Sequence, residues 1–475
     1  MCGLCGFTGE IIDRDAVLEN MTEVITHRGP DSKGFYTDED ISMGFRRLSI
    51  IDLDHGSQPI YNEDKTLVLM FNGEIYNYQQ LRRELVEKGH RFATDTDSEV
   101  LVHGFEEWKE DLLNRLRGMF GFAIWNRVDK SLFIARDFFG IKPMHYTQVG
   151  DHFVYASEIK SILKFPGFEK KFNYRTLDNY LSFQYAVPPE TFFEGVYCLL
   201  PGHYLWYKDG KVETTRYWEA RFNPDESLTE EQAVDEIEKV FEESVNAHKI
   251  SDVEVGCFLS SGVDSSYVST YFADQKTFTV GFDFGERYNE ISWAERLSEK
   301  IGVEHHTKLI SSEEFWGNVE HVQYHMDQPL ADPSCIALYF VSKLASEYVK
   351  VVLSGEGADE LFGGYTIYNE PHVFKTYQKI LPSKFRLWLA KEVKKLPHFR
   401  GQSFIIRGSR ETEEKFIGNA FMYDDADKRR ILKDPSIVTR PQSLCKKFYD
   451  RVRGYDQETK MQYLDINLWM VGDIL

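Results

Sequence analysis

Features that define several classes of protein are missing from this sequence of 475 residues. No apolar run reaches the roughly 18 residues that a membrane-spanning helix needs, so we expect no membrane partner. No apolar segment of the secretory type opens the chain. The six cysteines are scattered without a dense framework, which favours reduced thiols over a disulfide scaffold. Together these absences predict a cytoplasmic protein.

The chain also lacks an excess of basic residues. It has 56 Lys and Arg against 76 Asp and Glu, for a formal net charge of -20. Because nucleic-acid affinity depends on basic side chains that neutralise phosphates, this balance argues against a nucleic-acid partner. The net negative charge does not exclude the binding of a small anionic ligand in a local pocket. Hydrophobic residues make up 42% of the chain, so a large core can form, and the length favours two or three domains.

Zinc-binding patterns are sparse. Cys2 and Cys5 form a CxxC pair, but no second CxxC and no histidine pair at ligand spacing accompany it. Structural zinc sites usually combine about four such ligands. We therefore do not favour metal binding at this pair.

The first part of the chain, up to about residue 205, is rich in short β-like runs broken by Gly, Asn and Asp, with helical stretches between them. Predicted helices include Asp15–Ile25, Tyr78–Lys88 and Asp97–Trp108. Thr96 and Glu99 fit a capping box for the last of these. The mixture predicts packed sheets flanked by helices.

The second part has another pattern, in which strands alternate with helices. Val253–Leu259, Thr277–Val280 and Val351–Leu353 are predicted strands, the last of them buried. This alternation predicts a parallel α/β sheet, whose ligands bind at the carboxyl ends of the strands. A polar segment before a long acidic helix from Glu230 places the domain boundary near residue 210, giving domains 1–210 and 211–475.

Cys2 is the most informative single residue. An initiator Met before a small residue is normally removed, which would leave Cys2 with both a thiol and a free α-amino group. Their reference pKa values are about 8.5 and about 7.7–8.0, so the amine can serve as a base near neutral pH. This is the chemistry of an N-terminal nucleophile hydrolase. A chance Met-Cys start is the alternative, and the residue taken alone favours it.

The loop after the first strand of the second part, Ser260-Ser261-Gly262-Val263-Asp264-Ser265, suggests phosphate binding. Small residues between a strand and a helix expose backbone N–H groups that bind phosphate. The lysine of the Walker pattern is missing. The segment resembles the pyrophosphate loop of enzymes that cleave ATP between the α and β phosphates, with Ser261 in place of a glycine. A strand-to-helix turn capped by Ser and Asp is the alternative.

A second unusual loop, Ser354-Gly355-Glu356-Gly357-Ala358-Asp359-Glu360, follows the strand Val351–Leu353. Three acids among glycines suit a magnesium ligand and a carboxylate that acts on substrate. An acidic helix start is the alternative. The presence of both loops favours a nucleotide site.

Taken together, the motifs of the chain resemble those of glutamine-hydrolysing asparagine synthetases, which are class II glutamine amidotransferases. The resemblance extends over essentially the whole chain. Besides Cys2 and the two loops, it rests on these segments: His27–Asp31, Arg46–Asp52, Phe71–Asn77, Asp95–Glu99 and Arg136–Pro143.

The resemblance implies a fold and a set of roles in the first domain. The fold is an N-terminal Ntn-hydrolase α/β/β/α sandwich joined to a C-terminal parallel-sheet α/β domain of the ATP-pyrophosphatase type. Cys2 would attack the side-chain amide of glutamine, and Asn72 with the N–H of Gly73 would form the oxyanion hole. The glutamine-binding residues would be Arg47, Asn72, Gly73, Glu74 and Asp97.

In the second domain the resemblance implies adenylation of a carboxylate by MgATP, followed by attack of ammonia. Glu356 would assist that attack, and Asp264 and Asp359 would hold Mg²⁺. The residues expected to bind ATP are Phe258, Ser260, Ser261, Gly262, Asp264, Ser265, Val280, Ser354 and Gly355.

The carboxylate acceptor is not determined by the residues. Aspartate is the first expectation, and related enzymes that amidate cell-wall precursors or surface sugars provide the alternative. The resemblance is also compatible with a homodimer. Because the family continues beyond the segment at Trp469–Leu475, we expect the synthetase domain to be truncated at its C-terminus and impaired as given.

Overall fold

The computed structural model describes residues 1–272, 275–283, 285, 289–369 and 372–475, without the side chains at 372, 373 and 375. They form two units: Met1–Phe172 with Pro188–Glu356, and Asn173–Val187 with Gly357–Leu475. The domain boundary expected near residue 210 lies within the first unit and stays a prediction.

The strands all lie in the first unit as described. Their bounds are β1 Gly3–Thr8, β2 Ser32–Thr37, β3 Ile41–Arg47, β4 Ile60–Tyr61, β5 Leu67–Ile75, β6 Gly118–Asn126, β7 Ser131–Arg136, β8 His145–Val149, β9 His152–Ala156, β10 Tyr197–Cys198, β11 His203–Lys208, β12 Lys211–Arg216, β13 Val255–Phe258, β14 Lys276–Phe282, β15 Glu304–Ile310 and β16 Val351–Leu353.

The α-helices occur in both units. Their bounds are α1 Arg14–Glu23, α2 Tyr78–Glu87, α3 Glu99–Trp108, α4 Ile159–Ile162, α5 Tyr174–Phe183, α6 Glu230–His248, α7 Val263–Ser269, α8 Ile291–Ile301, α9 Ser312–Gly317, α10 Val319–His325, α11 Ser334–Ser346, α12 Ala358–Phe362, α13 His372–Ile380, α14 Ser383–Val393, α15 Gln402–Gly408, α16 Thr412–Lys415, α17 Asp425–Ile431, α18 Pro441–Tyr449 and α19 Gln457–Asn467.

Two antiparallel sheets pack face to face in the first part of the first unit. Their strand orders are β10-β8-β9-β1-β3-β2 and β12-β11-β7-β6-β5-β4. Apolar side chains from both sheets, such as Phe45 and Val68, form the core between them. Helices α1 and α4 cover one outer face and α2 and α3 the other. The layers confirm the predicted α/β/β/α sandwich.

A parallel sheet forms the second part of the same unit, with strand order β15-β14-β13-β16. Cys257 on β13 pairs with Thr277 on β14 and Leu353 on β16, all in parallel register. The carboxyl ends of these strands therefore meet at one edge, where ligands of such sheets bind. The predicted parallel α/β architecture is confirmed. The prediction of a buried strand at Val351–Leu353 is wrong about burial, because β16 is an edge strand and is half-buried.

The second unit packs α5 with the helices that follow Gly357. Asp178 of α5 and Lys428 of α17 form an ion pair of 2.7 Å, and both side chains are fully buried. Asp178 also accepts hydrogen bonds from the backbone N–H and the hydroxyl of Thr439. Burial of a paired, hydrogen-bonded charge in this way specifies where α5 docks.

The predicted capping box at Thr96 is wrong. Helix α3 begins at Glu99, and its N-cap residue Ser98 makes no capping hydrogen bond through its side chain. The Glu99 carboxylate instead accepts hydrogen bonds from the backbone N–H groups of Ala93 and Thr94, at 2.7 Å each. The acid therefore stabilises the preceding loop rather than the helix start.

In the part of the chain that the structure describes, no helix combines the length and the apolar composition that a membrane crossing requires.

Candidate functional site

The Cys2 sulfur lies at the start of β1, held by the backbone of the neighbouring strand segment. The N–H of Leu48 approaches the sulfur at 3.4 Å, and the thiol reaches the Leu48 carbonyl at 3.6 Å. Pairing of Gly3 with Arg46 between β1 and β3 sets this position. Burial raises the pKa of the Cys2 thiol, so a base is needed to generate the thiolate.

Asn72 and Gly73 lie on β5, in the sheet that packs against the sheet of β1. Asn72 is only 2% exposed, and its side-chain Nδ2 has no hydrogen-bond partner among the residues described. A side chain on Gly73 would collide with the carbonyl of Met119 on β6, so the close strand pairing requires glycine there. The free amide of Asn72 can donate to a developing oxyanion.

Arg47 is a buried residue at the end of β3. Its nitrogens donate to the carbonyls of Ile51, Asp52 and Leu53, at 3.1, 2.6 and 3.2 Å. A side chain at Gly56 would collide with the guanidinium. The charge is thus held in place by carbonyl oxygens and makes no hydrogen bond with a carboxylate among the residues described, which suits a planar anionic ligand.

Glu74 and Asp97 form a pair of interacting carboxylates, and Glu74 is the one that acts on the Cys2 thiol. Asp97 accepts a hydrogen bond of 2.8 Å from the N–H of Ile75, and its burial raises its pKa to about 7. Burial and the charge of Asp97 raise the pKa of Glu74 well above its usual range. The charge of Glu74 in turn contributes to the raised pKa of Cys2. Two carboxylates that cannot both ionise alone can do so around a cation.

Sequence reasoning assigned no role to three further residues around Cys2. Arg28 donates from Nε to the Cys2 carbonyl and from Nη1 to Glu158, each at 2.8 Å. Lys142 is 3% exposed, and burial lowers its pKa to about 8. Arg28 and Lys142 lie within motifs that carry the family resemblance, so the signal was available. Glu158 lies outside every such motif and is revealed only by its contacts.

The serine-rich loop after β13 is organised by its own hydroxyl groups. The Ser260 and Ser265 hydroxyls lie 2.7 Å apart, and the N–H of Gly262 donates to the Ser260 hydroxyl at 3.1 Å. Ser261 donates its N–H to Glu290 at 3.2 Å. Asp264, in the first turn of α7, is half-buried. The loop thus brings hydroxyls, amides and a carboxylate together between β13 and the first turn of α7.

The second predicted loop packs directly against the first. A Cβ atom on Gly355 would lie 2.8 Å from the Ser265 nitrogen and 2.9 Å from the Asp264 Cβ. The structure therefore brings Gly355 onto the start of α7, as parallel pairing of β13 with β16 requires. Phe258 and Val280, on the neighbouring strands β13 and β14, are half-buried beside this edge.

The two acids expected to act at this edge fall in different units. Glu356 is exposed, immediately after Gly355, at the end of the first unit. Asp359 is half-buried in the first turn of α12, in the second unit. Gly357 between them has a φ of 86°, a conformation that favours glycine.

Two family models match successive parts of the chain and leave residues 219–235 between them. A glutamine amidotransferase domain matches residues 1–218, and an asparagine synthase domain matches residues 236–475.

Individual proteins give the same result. Glutamine-hydrolysing asparagine synthetase 1 of Bacillus subtilis is 41% identical over 488 residues, which cover 99% of this chain and 76% of the relative. A Mycobacterium bovis protein, whose assignment to the same enzyme is provisional, is 38% identical over 100% of this chain and 77% of its own length.

A solved structure, the Bacillus subtilis glutamine phosphoribosylpyrophosphate amidotransferase, is more distant. It shares 17% identity with a TM-score of 0.35, over 64% of this chain and 65% of that one.

Proposed function

The chain belongs to the family of glutamine-hydrolysing asparagine synthetases, and on that premise we propose that it transfers the amide nitrogen of glutamine to aspartate with cleavage of ATP to AMP and pyrophosphate. The observation that carries the proposal is the buried, unpartnered amide of Asn72 on the strand that faces the Cys2 strand. Such a donor destabilises the free protein and is satisfied only when an acceptor atom binds.

The glutaminase reaction starts at Cys2. Removal of Met1 leaves the α-amino group of Cys2 as the base that accepts the thiol proton. The thiolate attacks the amide carbon of glutamine, the α-ammonium group of Cys2 returns the proton to the departing nitrogen, the C–N bond breaks, and ammonia leaves a thioester. Water then hydrolyses the thioester to glutamate and restores the thiol. Asn72 Nδ2 and the N–H of Gly73 donate to the oxyanion in both steps.

Recognition of glutamine uses charges of both signs. Arg47 binds the α-carboxylate, for which a bidentate guanidinium is well shaped. Glu74 and Asp97 bind the α-ammonium, whose charge permits both carboxylates to ionise. This explains why two acids with raised pKa values lie together in the free protein.

The synthetase reaction takes place at the edge formed by β13, β14 and β16. A carboxylate oxygen of aspartate attacks the α-phosphorus of ATP, and pyrophosphate leaves. Ammonia then attacks the acyl carbon, AMP leaves, and Glu356 accepts the proton that the nitrogen loses. Phe258 and Val280 contact the adenine, and the groups that bind the phosphates are Ser260, Ser261, Gly262, Asp264, Ser265, Ser354 and Gly355.

The donor set also fits Mg²⁺, the usual companion of ATP. Carboxylate oxygens are ligands that this ion prefers. Asp264, the half-buried residue before Ser265, carries one. The family resemblance adds Asp359 as a second ligand. When bound, the ion neutralises phosphate charge.

The six cysteines form no disulfide bonds, which supports our inference of a cytoplasmic location.

The test supplies glutamine labelled with ¹⁵N in its amide, together with ATP, Mg²⁺ and aspartate. We expect labelled asparagine, with one AMP and one pyrophosphate for each molecule formed. The Cys2→Ala variant should lose synthesis from glutamine and keep synthesis from ammonium salts. Formation of ADP and phosphate, or amidation of a different carboxylate in preference to aspartate, would contradict the proposal.

A further inference from the structure

We propose that Glu63, His90, His103 and Glu106 form a binding site for a divalent transition metal of the zinc class. Each residue offers one ligand atom, and the four atoms lie within 4.8 Å of one another. Glu63 lies between β4 and β5, His90 just after α2, and the other two residues on α3. Spacings of 27 and 13 residues along the chain conceal the group from sequence patterns.

The interatomic distances suit a single small ion. Nδ1 of His90 lies 3.2 Å from Oε1 of Glu63 and 4.0 Å from Oε2 of Glu106. Nδ1 of His103 lies 3.2 Å from Oε2 of Glu63. Ligands about 2.0–2.1 Å from a tetrahedral Zn²⁺ are separated by about 3.3 Å, so only small movements are needed.

An unsatisfied buried nitrogen points independently to a ligand. His103 is 0% exposed, and its Nδ1 makes no hydrogen bond with any described residue. The Glu63 oxygen at 3.2 Å is close enough, but its direction does not suit a hydrogen bond. A metal ion bound to both atoms would satisfy them together, because it accepts one lone pair from the imidazole nitrogen and one from the carboxylate oxygen.

The outer nitrogens of both imidazoles are held by carboxylates. Nε2 of His90 lies 3.3 Å from Glu107, and Nε2 of His103 lies 3.3 Å from Glu99. Metal-binding histidines usually donate their second N–H to a carboxylate, which orients the ring and raises the basicity of the ligand nitrogen. Both histidines therefore direct Nδ1 inward and Nε2 outward, as ligands do.

The ligand carboxylates are positioned in the same way. Oε1 of Glu63 accepts a hydrogen bond of 2.8 Å from the N–H of Arg91. Oε2 of Glu106 accepts one of 3.2 Å from Asn62 Nδ2. Each acid keeps further lone pairs for a metal.

The local charge also favours a dication. Four carboxylates surround the two imidazoles, and among the described residues Lys88 forms an ion pair of 3.4 Å with one of them, Glu107. A network of protonated histidines can balance such acids without an ion, and the experiment must distinguish that alternative from a metal site.

The ion would have a structural consequence for the glutaminase site. Glu99 binds both His103 and the backbone of Ala93 and Thr94, so the ion would stabilise the loop that carries Asp97.

The test uses the full chain in a Cys2→Ser background, which removes the half-buried thiol as a competing ligand. After treatment with a chelator, the protein is titrated with Zn²⁺ by calorimetry and with Co²⁺ by visible absorption. We expect one ion per chain, and a cobalt spectrum of tetrahedral type without a thiolate charge-transfer band. Zn²⁺ should also raise the thermal unfolding midpoint, because it binds only the folded state.

Variants decide between an ion site and an ion-free network. His90→Gln and the milder Glu106→Gln should each weaken Zn²⁺ binding by more than about 100-fold, since loss of a residue that only orients a ligand typically costs about 10- to 100-fold. Glu107→Gln should weaken it less and keep the stoichiometry. His398→Gln, at an exposed histidine outside the group, is the matched control and should bind as the parent does. Absence of Zn²⁺ and Co²⁺ binding by the parent, or equal affinity in the parent and Glu106→Gln, would overturn the proposal.

Discussion

Asn72 illustrates how single residues in this chain are placed for a ligand at a cost to the free protein. A buried donor without an acceptor destabilises the folded state by about 1–3 kcal/mol. The same amide is rigid on β5 and needs no reorganisation when an oxyanion forms. The carboxylates of Glu74 and Asp97 likewise destabilise the free protein in a position that suits a ligand, because they repel each other until a cation binds.

The first prediction concerns Asn72→Ala. Loss of one oxyanion donor should lower kcat for glutamine hydrolysis by about 100- to 1,000-fold, with a much smaller change in KM. Stability should be unchanged or higher, since the unsatisfied donor is removed. A glutaminase assay and thermal unfolding measure the two effects. Ammonia-dependent synthesis is the internal control, and an equal loss of both activities would contradict the assigned role.

The second prediction concerns the pH dependence of Asp97. Its pKa of about 7 in the folded chain exceeds the reference value of about 3.9, so the folded state binds more protons between these values. Stability from this group is therefore present below about pH 4 and is lost as the pH rises through 7.

Asp97→Asn should consequently be more stable than the parent at pH 8, with a smaller difference at pH 5. Its KM for glutamine should rise, because one ammonium ligand is lost. In the parent, the KM for glutamine should fall as the pH rises through 7 and the carboxylates ionise. Thermal unfolding and steady-state kinetics at the two pH values check these expectations, and a pH-independent stability difference would refute them.

At the scale of elements, parallel pairing of β13 with β16 decides where the two loops meet. Each strand was predictable from its apolar run, and the meeting of the loops followed from the rule for parallel sheets. The close packing of Gly355 on Asp264 and Ser265 was not predictable, because it depends on how far each loop extends beyond its strand.

The third prediction is that Gly355→Ala impairs the ATP reaction alone. The added Cβ displaces the start of α7, and a shift of about 1 Å can lower a rate by about 100-fold. Pyrophosphate release should fall accordingly, while glutamine hydrolysis is retained. Gly317→Ala is the matched control, because nothing lies within 4 Å of its added Cβ. Equal behaviour of the two variants would count against the assigned nucleotide site.

At the scale of the whole molecule, the first unit joins the glutaminase sandwich to the parallel-sheet region through a buried chain of charges. Arg28 contacts Cys2 and Glu158, and Glu158 pairs with Lys160. Lys160 also pairs with Asp327 at 2.7 Å, beyond the sandwich. A path of ion pairs therefore connects the backbone of the nucleophile with the segment that leads to α11.

The fourth prediction is that Asp327→Asn weakens this connection. Asp327 has a φ of 66°, which asparagine tolerates, so the backbone is preserved. Loss of its charge leaves Lys160 with one carboxylate partner fewer. The free energy of unfolding should fall by about 1–3 kcal/mol as a result. Urea unfolding measures that loss. Asparagine formed per glutamate released should also fall, and Asp225→Asn, at an exposed aspartate, should change neither quantity.

Sequence alone determined the features that depend on near neighbours along the chain. The Cys2 start, the serine-rich loop and the alternation of strands and helices are local patterns, and they predicted both the layered architecture and the family. Only the tertiary structure decided which distant groups meet. Glu99 supports a loop rather than a helix cap, Glu158 reaches Arg28, and the ring of His90, just after α2, lies 5.0 Å from the ring of His103 on α3. Contacts of this kind depend on side-chain geometry after folding, which leaves no period or spacing in a single sequence.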